Sequence, residues 1–170
     1  MNSNFEDDDD DDDNIDTLKD KYLVFILAKE FYCLEINYVI EITGFQKITE
    51  VPDSIYFIKG IINLRGRILP VIDVRLRFGF HFKEYTDRTC IIICNYNGIN
   101  VGLIVDSISE VAVILPEQIE TPPSTNKMNK SNFLSGIGKT KDGVKMILKL
   151  NSLLDQDDLK NIDTNLNLEA

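Results

Sequence analysis

The sequence predicts an all-β protein, a small barrel or sandwich built from many short strands. Short runs of apolar and β-branched residues recur along the 170-residue chain, and turn residues separate them every ten positions or so. Helical periodicity, in contrast, is confined to two brief segments. With 44% hydrophobic residues the chain can bury one respectable core, so we expect a single domain. Closure into a barrel would remove exposed strand edges.

The chain opens with a predicted hairpin. Residues 22–28 form a nearly continuous apolar run, Lys29 and Glu30 provide a turn, and residues 31–36 return. Such a pattern is typical of two antiparallel strands packed on a core.

A third strand is predicted over residues 39–43. Its side chains alternate, with Ile40 and Ile42 on one face and Val39, Glu41 and Thr43 on the other. We therefore expect Glu41 to be held outward on a rigid element.

The most informative segment, residues 57–79, predicts a hairpin that displays an arginine. Two β-branched runs, residues 57–62 and 68–74, flank a polar turn in which Asn63 and Gly66 supply the turn chemistry. Arg65 lies between Leu64 and Gly66 at its tip. A guanidinium on an apolar rim suits protein recognition, and the alternative is an ordinary surface charge at a turn.

A further hairpin is predicted around Asn97 and Gly98, because an Asn-Gly pair between apolar runs, here residues 89–95 and 99–105, is the strongest short-range hairpin signal.

The last predicted strand follows a turn at Asp142 and Gly143. Its alternation places one set of side chains inward and two lysines outward. The inward set is Val144, Met146, Leu148 and Leu150, and the outward pair is Lys145 and Lys149.

Helices are predicted only as a turn or two over residues 73–78 and as a C-terminal helix over residues 151–160, with fraying beyond residue 161. Residues 116–130, rich in proline and small polar residues, predict a long surface loop. We divide the chain into an acidic disordered tail (1–19), a folded domain (20–160) and a frayed C-terminal tail (161–170).

Charge is unevenly distributed. Residues 1–16 contain nine acidic residues and no basic one, so nearly all of the formal charge of −10 lies in this tail. Residues 57–79 carry five basic residues against Asp73 alone. Blocks of like charge usually solvate and stay disordered, whereas attraction to this basic segment is the competing hypothesis. The unbroken aspartate run lacks the glycine turn and spaced ligands of an EF-hand.

Several classes of function are disfavoured. No apolar run approaches the ~20 residues that span a bilayer, so we expect a soluble, cytoplasmic protein without membrane insertion. Cys90 and Cys94 would lie about 13 Å apart in a strand, beyond disulfide reach, and free, mostly buried thiols are expected.

No phosphate loop, dinucleotide fingerprint or nucleophile elbow occurs, and we expect no enzyme activity and no cofactor. The single histidine, His81, lies between two phenylalanines and reads as structural, not as catalytic or metal-binding. Asp73 and Asp106 each end an apolar run and read as capping or turn residues.

A resemblance rests on four segments, which are FIKGIINLRGRILPVIDVRLRFG (residues 57–79), VIEIT (39–43), VGLIVDSISEV (101–111) and LSGIGKTKDGVKMILKL (134–150). With these the chain closely resembles the CheW family of bacterial chemotaxis coupling proteins, from about Lys21 to Leu159. The resemblance implies two small five-stranded, SH3-like β-barrels packed as a pseudo-symmetric pair. It also implies a non-catalytic adaptor that joins chemoreceptor tips to the regulatory domain of the histidine kinase CheA in membrane-associated arrays, where other CheW-like proteins could share its rings.

The resemblance also implies site residues. It assigns receptor contact to Arg65, with Glu41 near it and Asn63 and Leu64 in the same turn. Kinase contact is implied at three apolar positions, for which ordinary core packing is the alternative. These are Leu23, Val39 and Ile108.

Two other functions compete with the adaptor. A small barrel could bind nucleic acid through Arg65, Arg67, Arg75 and Arg77, although a sequence pI near 4.5 repels polyanions. An unrecognised enzyme or ligand carrier would need a pocket with convergent polar groups, and no such cluster is visible in the sequence.

Overall fold

The computed structural model describes residues 18–123 and 133–154, and it contains eleven β-strands within them. Seven of these lie within residues 21–105. They are β1 (Lys21–Leu27), β2 (Glu30–Glu35), β3 (Val39–Gly44), β4 (Ile58–Leu64), β5 (Arg67–Asp73), β6 (Cys90–Tyr96) and β7 (Ile99–Val105). The other four are β8 (Ser107–Val113), β9 (Ile119–Glu120), β10 (Leu134–Thr140) and β11 (Gly143–Leu148).

Helical structure is brief in the described residues. It comprises two four-residue α-helices, α1 (Val74–Arg77) and α2 (Leu150–Leu153), and two 3₁₀ turns, Ile36–Tyr38 between β2 and β3 and Pro116–Gln118 between β8 and β9. The predicted turn of helix after Asp73 is confirmed, because the Asp73 carboxylate accepts the backbone N–H of Leu76 at 3.3 Å as an N-cap.

The strands form two sheets, which confirms the predicted all-β class with two small units. The first sheet has the order β8-β1-β2-β11-β10-β9, and the second has the order β3-β6-β7-β5-β4. All neighbours are antiparallel except one pair in each sheet, β2 with β11 and β5 with β7. In the described part of the chain the two edge strands of either sheet do not pair directly. Thr49, which follows β3, nevertheless forms an isolated antiparallel bridge with Ile61 of β4.

Three predicted hairpins are confirmed, and their turns explain them. The β6–β7 turn is formed by Asn97 and Gly98, both with positive φ, which is the type I′ geometry that matches strand twist. The β1–β2 turn lies one residue earlier than predicted, at Ala28 and Lys29, because Leu27 pairs with Glu30.

The main core lies between the two sheets. It gathers buried side chains from both units, including Leu23 and Phe25 of β1 and Ile92 and Leu103 of the second sheet. Two smaller clusters cover the other face of each sheet. Strand β1 is therefore buried on both faces, which is why its sequence is a continuous apolar run and does not alternate.

The predicted orientation of strand β11 is partly wrong. Lys145 is only 3% exposed, whereas Val144 is 52% exposed. Val144 is exposed because the strand extends beyond the main core at this position. Lys145 lies on the other face, where its ammonium is 5.7 Å from the centroid of the Phe31 ring and donates a hydrogen bond to the Thr140 hydroxyl at 2.9 Å. Met146 and Leu148 do face the main core, as predicted.

The alternation predicted for β3 is confirmed, but its two faces are exchanged. Ile40 and Ile42 are exposed, and Val39, Glu41 and Thr43 are half-buried. β3 is an edge strand whose register shifts between Val39 and Glu41, so its isoleucines lie outside the core.

Other boundaries differ from the sequence expectations. The predicted loop over residues 116–130 contains a 3₁₀ turn and strand β9 in its described part, and residues 124–130 lie outside the described residues. Strand β8 was not predicted. The predicted C-terminal helix begins as α2, and its remainder lies outside the described residues, as do residues 1–17 of the acidic tail and residues 161–170.

Two polar clamps join the units. The Asp106 carboxylate accepts the backbone N–H of Ala28 at 3.0 Å and pairs with Arg75 at 3.2 Å, which links α1 to the β1–β2 turn. The Arg77 guanidinium stacks on Phe57 and Phe133 and donates to two backbone carbonyls of α2. Both clamps fix the position of α1 against the first sheet.

Candidate partner-binding surfaces

The tip of the β4–β5 hairpin, residues 63–67, displays Arg65, and we call it the arginine turn. Leu64 pairs with Arg67 across a two-residue turn in which Arg65 and Gly66 have φ values of 52° and 84°. This is again the type I′ geometry, and the Asn63 side chain stabilises it by accepting the Gly66 N–H at 2.9 Å. The predicted display of the arginine is confirmed, because its side chain is 78% exposed.

The arginine turn contacts β3 through a bidentate ion pair. The two guanidinium nitrogens of Arg65 lie 3.2 and 2.9 Å from the two carboxylate oxygens of Glu41. β3 and β4 are the opposite edge strands of the second sheet, so this pair links β3 to the turn that follows β4. Backbone hydrogen bonds between Thr49, which follows β3, and Ile61 of β4 connect the same two edges. A two-point contact fixes the plane of the guanidinium while leaving most of it accessible.

An open groove of about 200 Å³ lies beside this ion pair. Its floor is apolar, formed by Leu64, Leu69 and Ile93, and its rim carries the ion pair and the exposed Ile40. An apolar floor with a charged, oriented rim is the arrangement of protein-recognition sites.

The structure therefore brings together the four residues that the resemblance assigns to the receptor. Arg65 and Glu41 form the rim, and Leu64 lines the groove. Asn63 is exposed, but its side-chain oxygen is used in the turn, so it shapes the loop. Sequence reasoning missed Ile40, which was assigned to an inward face.

The three apolar residues assigned to the kinase do not form one exposed patch. Leu23 is 2% exposed in the main core, and Val39 and Ile108 are half-buried against that core. Leu23 and Ile108 belong to the neighbouring strands β1 and β8, whereas Val39 begins β3 in the other sheet. A direct contact through Leu23 would require its neighbours to move.

Strand β8, which pairs with the β1 strand that carries Leu23, offers an accessible apolar edge. Val111 lies directly opposite Leu23 in the register, and Val111 and Val113 are both more than half exposed. β8 is an edge strand, so one row of its backbone groups has no strand partner among the residues that the structure describes. The β-branched residues Ile108, Val111 and Val113 were the signal that could have identified this strand, although their spacing is irregular.

Asp73 and Asp106 line the same small cavity, and both are occupied by structural contacts. Besides capping α1, Asp73 accepts the Tyr85 hydroxyl at 2.8 Å, and burial together with this bond raises the Tyr85 pKa. The cavity holds about 20 Å³, which is room for a water molecule, not a substrate. Both aspartates are thus capping and turn residues, as predicted.

The cysteines are free thiols, as predicted, and Cys33 and Cys94 are buried. Burial raises the pKa of each of these two thiols to about 12, so neither is a nucleophile near neutral pH. No helix within residues 18–123 and 133–154 is long and apolar enough to cross a membrane.

The chain is similar to chemotaxis proteins over most of its length. The family model described as a CheW-like domain matches residues 21–158. Chemotaxis protein CheW of Klebsiella aerogenes is 31% identical over 148 residues, covering 87% of this chain and 89% of the relative. The CheW protein of Bacillus subtilis is 35% identical over 138 residues, covering 81% and 88%.

A solved structure agrees with these sequence matches. The crystal structure of the scaffolding protein TtCheW from Thermoanaerobacter tengcongensis superposes with a TM-score of 0.74 at 41% identity, covering 82% of this chain and 90% of that one. With the arginine turn and the two-sheet fold in place, these matches show that the chain belongs to the CheW-like family.

Proposed function

We propose that this chain is a non-catalytic adaptor of bacterial chemotaxis, which couples the cytoplasmic tips of chemoreceptors to the histidine kinase CheA. The observation that carries the proposal is the arginine turn, where Arg65 is exposed, oriented by Glu41 and set above an apolar groove. The relatives named as chemotaxis CheW proteins support the same role. In this role the chain works in the cytoplasm and is recruited to receptor arrays.

The receptor contact is assigned to the groove at the arginine turn. A receptor tip bound here would place apolar residues on Leu64 and Leu69 and an acidic or carbonyl group on Arg65. The Arg65–Glu41 pair is exposed, so it contributes only ~0 to 1 kcal/mol to stability. Its function is therefore to orient the arginine, not to hold the fold.

The kinase contact is assigned to the side of the molecule that carries β8. Ile108 is partly accessible there, and Val111 and Val113 add an exposed apolar edge. Val39, which begins β3 in the other sheet, is a separate half-buried position of the assigned contact. Leu23 supports this surface from beneath as a core residue. A related β-domain could pack on this face, or add a strand to the edge of β8. The surface that carries β8 would also bind other CheW-like proteins when they share a ring with this chain.

Binding assays with purified partners test the two faces separately. Arg65→Glu should reduce receptor binding at least tenfold and leave kinase binding unchanged, because the reversed charge repels an acidic partner. Val111→Glu, at a 55% exposed position, should do the reverse, with Ile108→Glu as a second probe of that face. Arg88→Glu, an exposed arginine in the loop before β6, is the matched control.

Thermal unfolding of each variant shows whether the fold is intact. Wild-type receptor binding by a folded Arg65→Glu protein would refute the receptor assignment. If the unmodified chain bound neither partner, the adaptor function would be refuted and only the fold would remain.

The alternative of nucleic-acid binding is not supported. Arg75 and Arg77, two of the four arginines that it requires, are engaged in contacts within the chain. The comparisons match chemotaxis proteins instead.

A further inference from the structure

The structure divides the basic residues of segment 57–79 into two groups. Three of them are engaged within the fold. They are Arg75, paired with Asp106; Arg77, stacked on two aromatic rings; and Lys59, over the Phe82 ring at 4.7 Å. Only Arg65 and Arg67 extend into solvent, both from the arginine turn. The basic segment seen in the sequence is thus concentrated at one end of the second sheet.

Arg67 is the uncompensated charge at this end. Arg65 has Glu41, but Arg67 takes part in no ion pair and no side-chain hydrogen bond with any residue of the described ranges. Beside it lies a second open groove of about 340 Å³, whose lining contains Ile68, Ile99 and Asn100 and no acidic side chain. Ile68 is more than half exposed. We call the surface formed by Arg65, Arg67, Ile68, Ile99 and Asn100 the arginine surface.

The acidic N-terminal segment has the complementary charge. Residues 6–16 contain nine carboxylates and no base, and they are covalently tied to the fold at Leu18. Asp7 lies eleven Cα–Cα steps before Leu18, and such a chain reaches at most roughly 40 Å. A domain of this size has a radius of gyration of about 14 Å, so that reach covers most of one side.

The topology places the start of β1, where the acidic segment joins the fold, on the side of the molecule that carries the arginine surface. β1 begins opposite the end of β2, which leads through the 3₁₀ turn to Tyr38. The Tyr38 ring lies 5.7 Å from that of Tyr96, which directly precedes the β6–β7 turn. That turn borders the groove at Arg67, because Gly98 and Arg67 line it together.

From this charge complementarity, reach and topology, we propose that the acidic segment 6–16 docks on the arginine surface of its own chain. Because the segment is tethered, its local concentration at the surface is in the millimolar range, and many weak contacts suffice. Salt weakens the contact, since the Debye length falls from about 30 Å at 0.01 M to 3 Å at 1 M. Under the receptor assignment proposed above, the docked segment competes with the receptor for Arg65.

Amide NMR shifts of the full-length chain test the docking without any partner. The comparison variant carries all seven substitutions Asp7→Asn to Asp13→Asn, which keep the length and remove the charge. At 25 mM salt we expect shift differences between the two proteins at the amides of residues 65–68 and 98–100, and we expect them to vanish at 0.5 M salt. Differences confined to other surfaces, or absent at low salt, would overturn the proposal.

Charge reversal on the fold provides the second arm. Introducing Arg67→Glu should abolish those differences, whereas Arg88→Glu, at the opposite end of the second sheet, should leave them in place. Differences that grow with protein concentration would show binding between copies and would overturn docking within one chain. Since no receptor is present, this test can fail while the adaptor function stands, and the reverse also holds.

Discussion

Replacing Arg77 with alanine should remove the clamp that holds α1 to the C-terminal helix. The guanidinium donates to the carbonyls of Ser152 and Leu153 at 3.1 and 3.3 Å, and its centre lies 4.4 and 5.0 Å from the ring centroids of Phe57 and Phe133. The two hydrogen bonds join residues 75 and 76 positions apart in the chain. Their loss would uncouple the two units at this point.

The magnitude follows from the contacts. Each hydrogen bond from a charged donor contributes about 1.5 kcal/mol at the lower end of its range, and each ring contact contributes about 0.5 kcal/mol. Arg77 is half-buried and these contributions overlap, so we expect Arg77→Ala to lower the free energy of unfolding by about 2 to 3 kcal/mol. Arg77→Lys keeps the charge but not the planar fork, and it should cost about half as much.

Urea unfolding measures this effect. The chain contains no tryptophan and six tyrosines, so tyrosine fluorescence and circular dichroism are the signals. With a slope of about 2 kcal/mol/M, the midpoint should fall by roughly 1 to 1.5 M. Arg67→Ala, at an exposed position with no ion pair, is the control and should cost less than about 0.5 kcal/mol. Equal midpoints for the two alanine variants would refute the clamp.

Two further predictions concern the core. Gly60→Ala should lower the free energy of unfolding by about 3 kcal/mol or more in the same urea assay, because Gly60 has a φ of 146° and an added Cβ would collide with the Thr49 carbonyl oxygen. Gly44, which has open space around it, is the control and should tolerate alanine within about 1 kcal/mol. Similar costs at both sites would contradict this reasoning. The thiols of Cys33 and Cys94, whose pKa rises from 9 to about 12 on burial, keep their protons in the folded state, so the free energy of unfolding should fall as the pH rises from 9 towards 12. Unfolding curves across that range would show a flat profile if this linkage were absent.

Local turn chemistry explains why much of the fold could be predicted. The Asn97-Gly98 and Arg65-Gly66 turns place two residues with positive φ between β-branched runs, and such signals need no tertiary information. Strand β8 escaped prediction because two serines and a glutamate interrupt its apolar residues, and because its strand character depends on pairing with β1.

The predicted side-chain orientations were wrong where residues from other strands determine whether a side chain is buried. The alternation of residues 144–150 predicts that Lys145 faces solvent, yet Phe31 and Thr140 from other strands cover it. Ile40 and Ile42 are apolar but face outward, because β3 lies at a sheet edge beside the groove. The Arg65–Glu41 contact joins residues 24 positions apart, and no spacing rule brings them together. Only the resemblance placed them near each other.

The parallel pairing of β2 with β11 has a consequence for synthesis on the ribosome. The second sheet uses only residues 39–105 as one continuous stretch, whereas the first sheet combines the first two strands with strands β8 to β11. β2 must wait for more than a hundred further residues before Met146 and Ile147 can pair with it. The second sheet can therefore complete its strand pairing while translation continues, whereas one edge of β2 stays unpaired until residues 146–147 have been made.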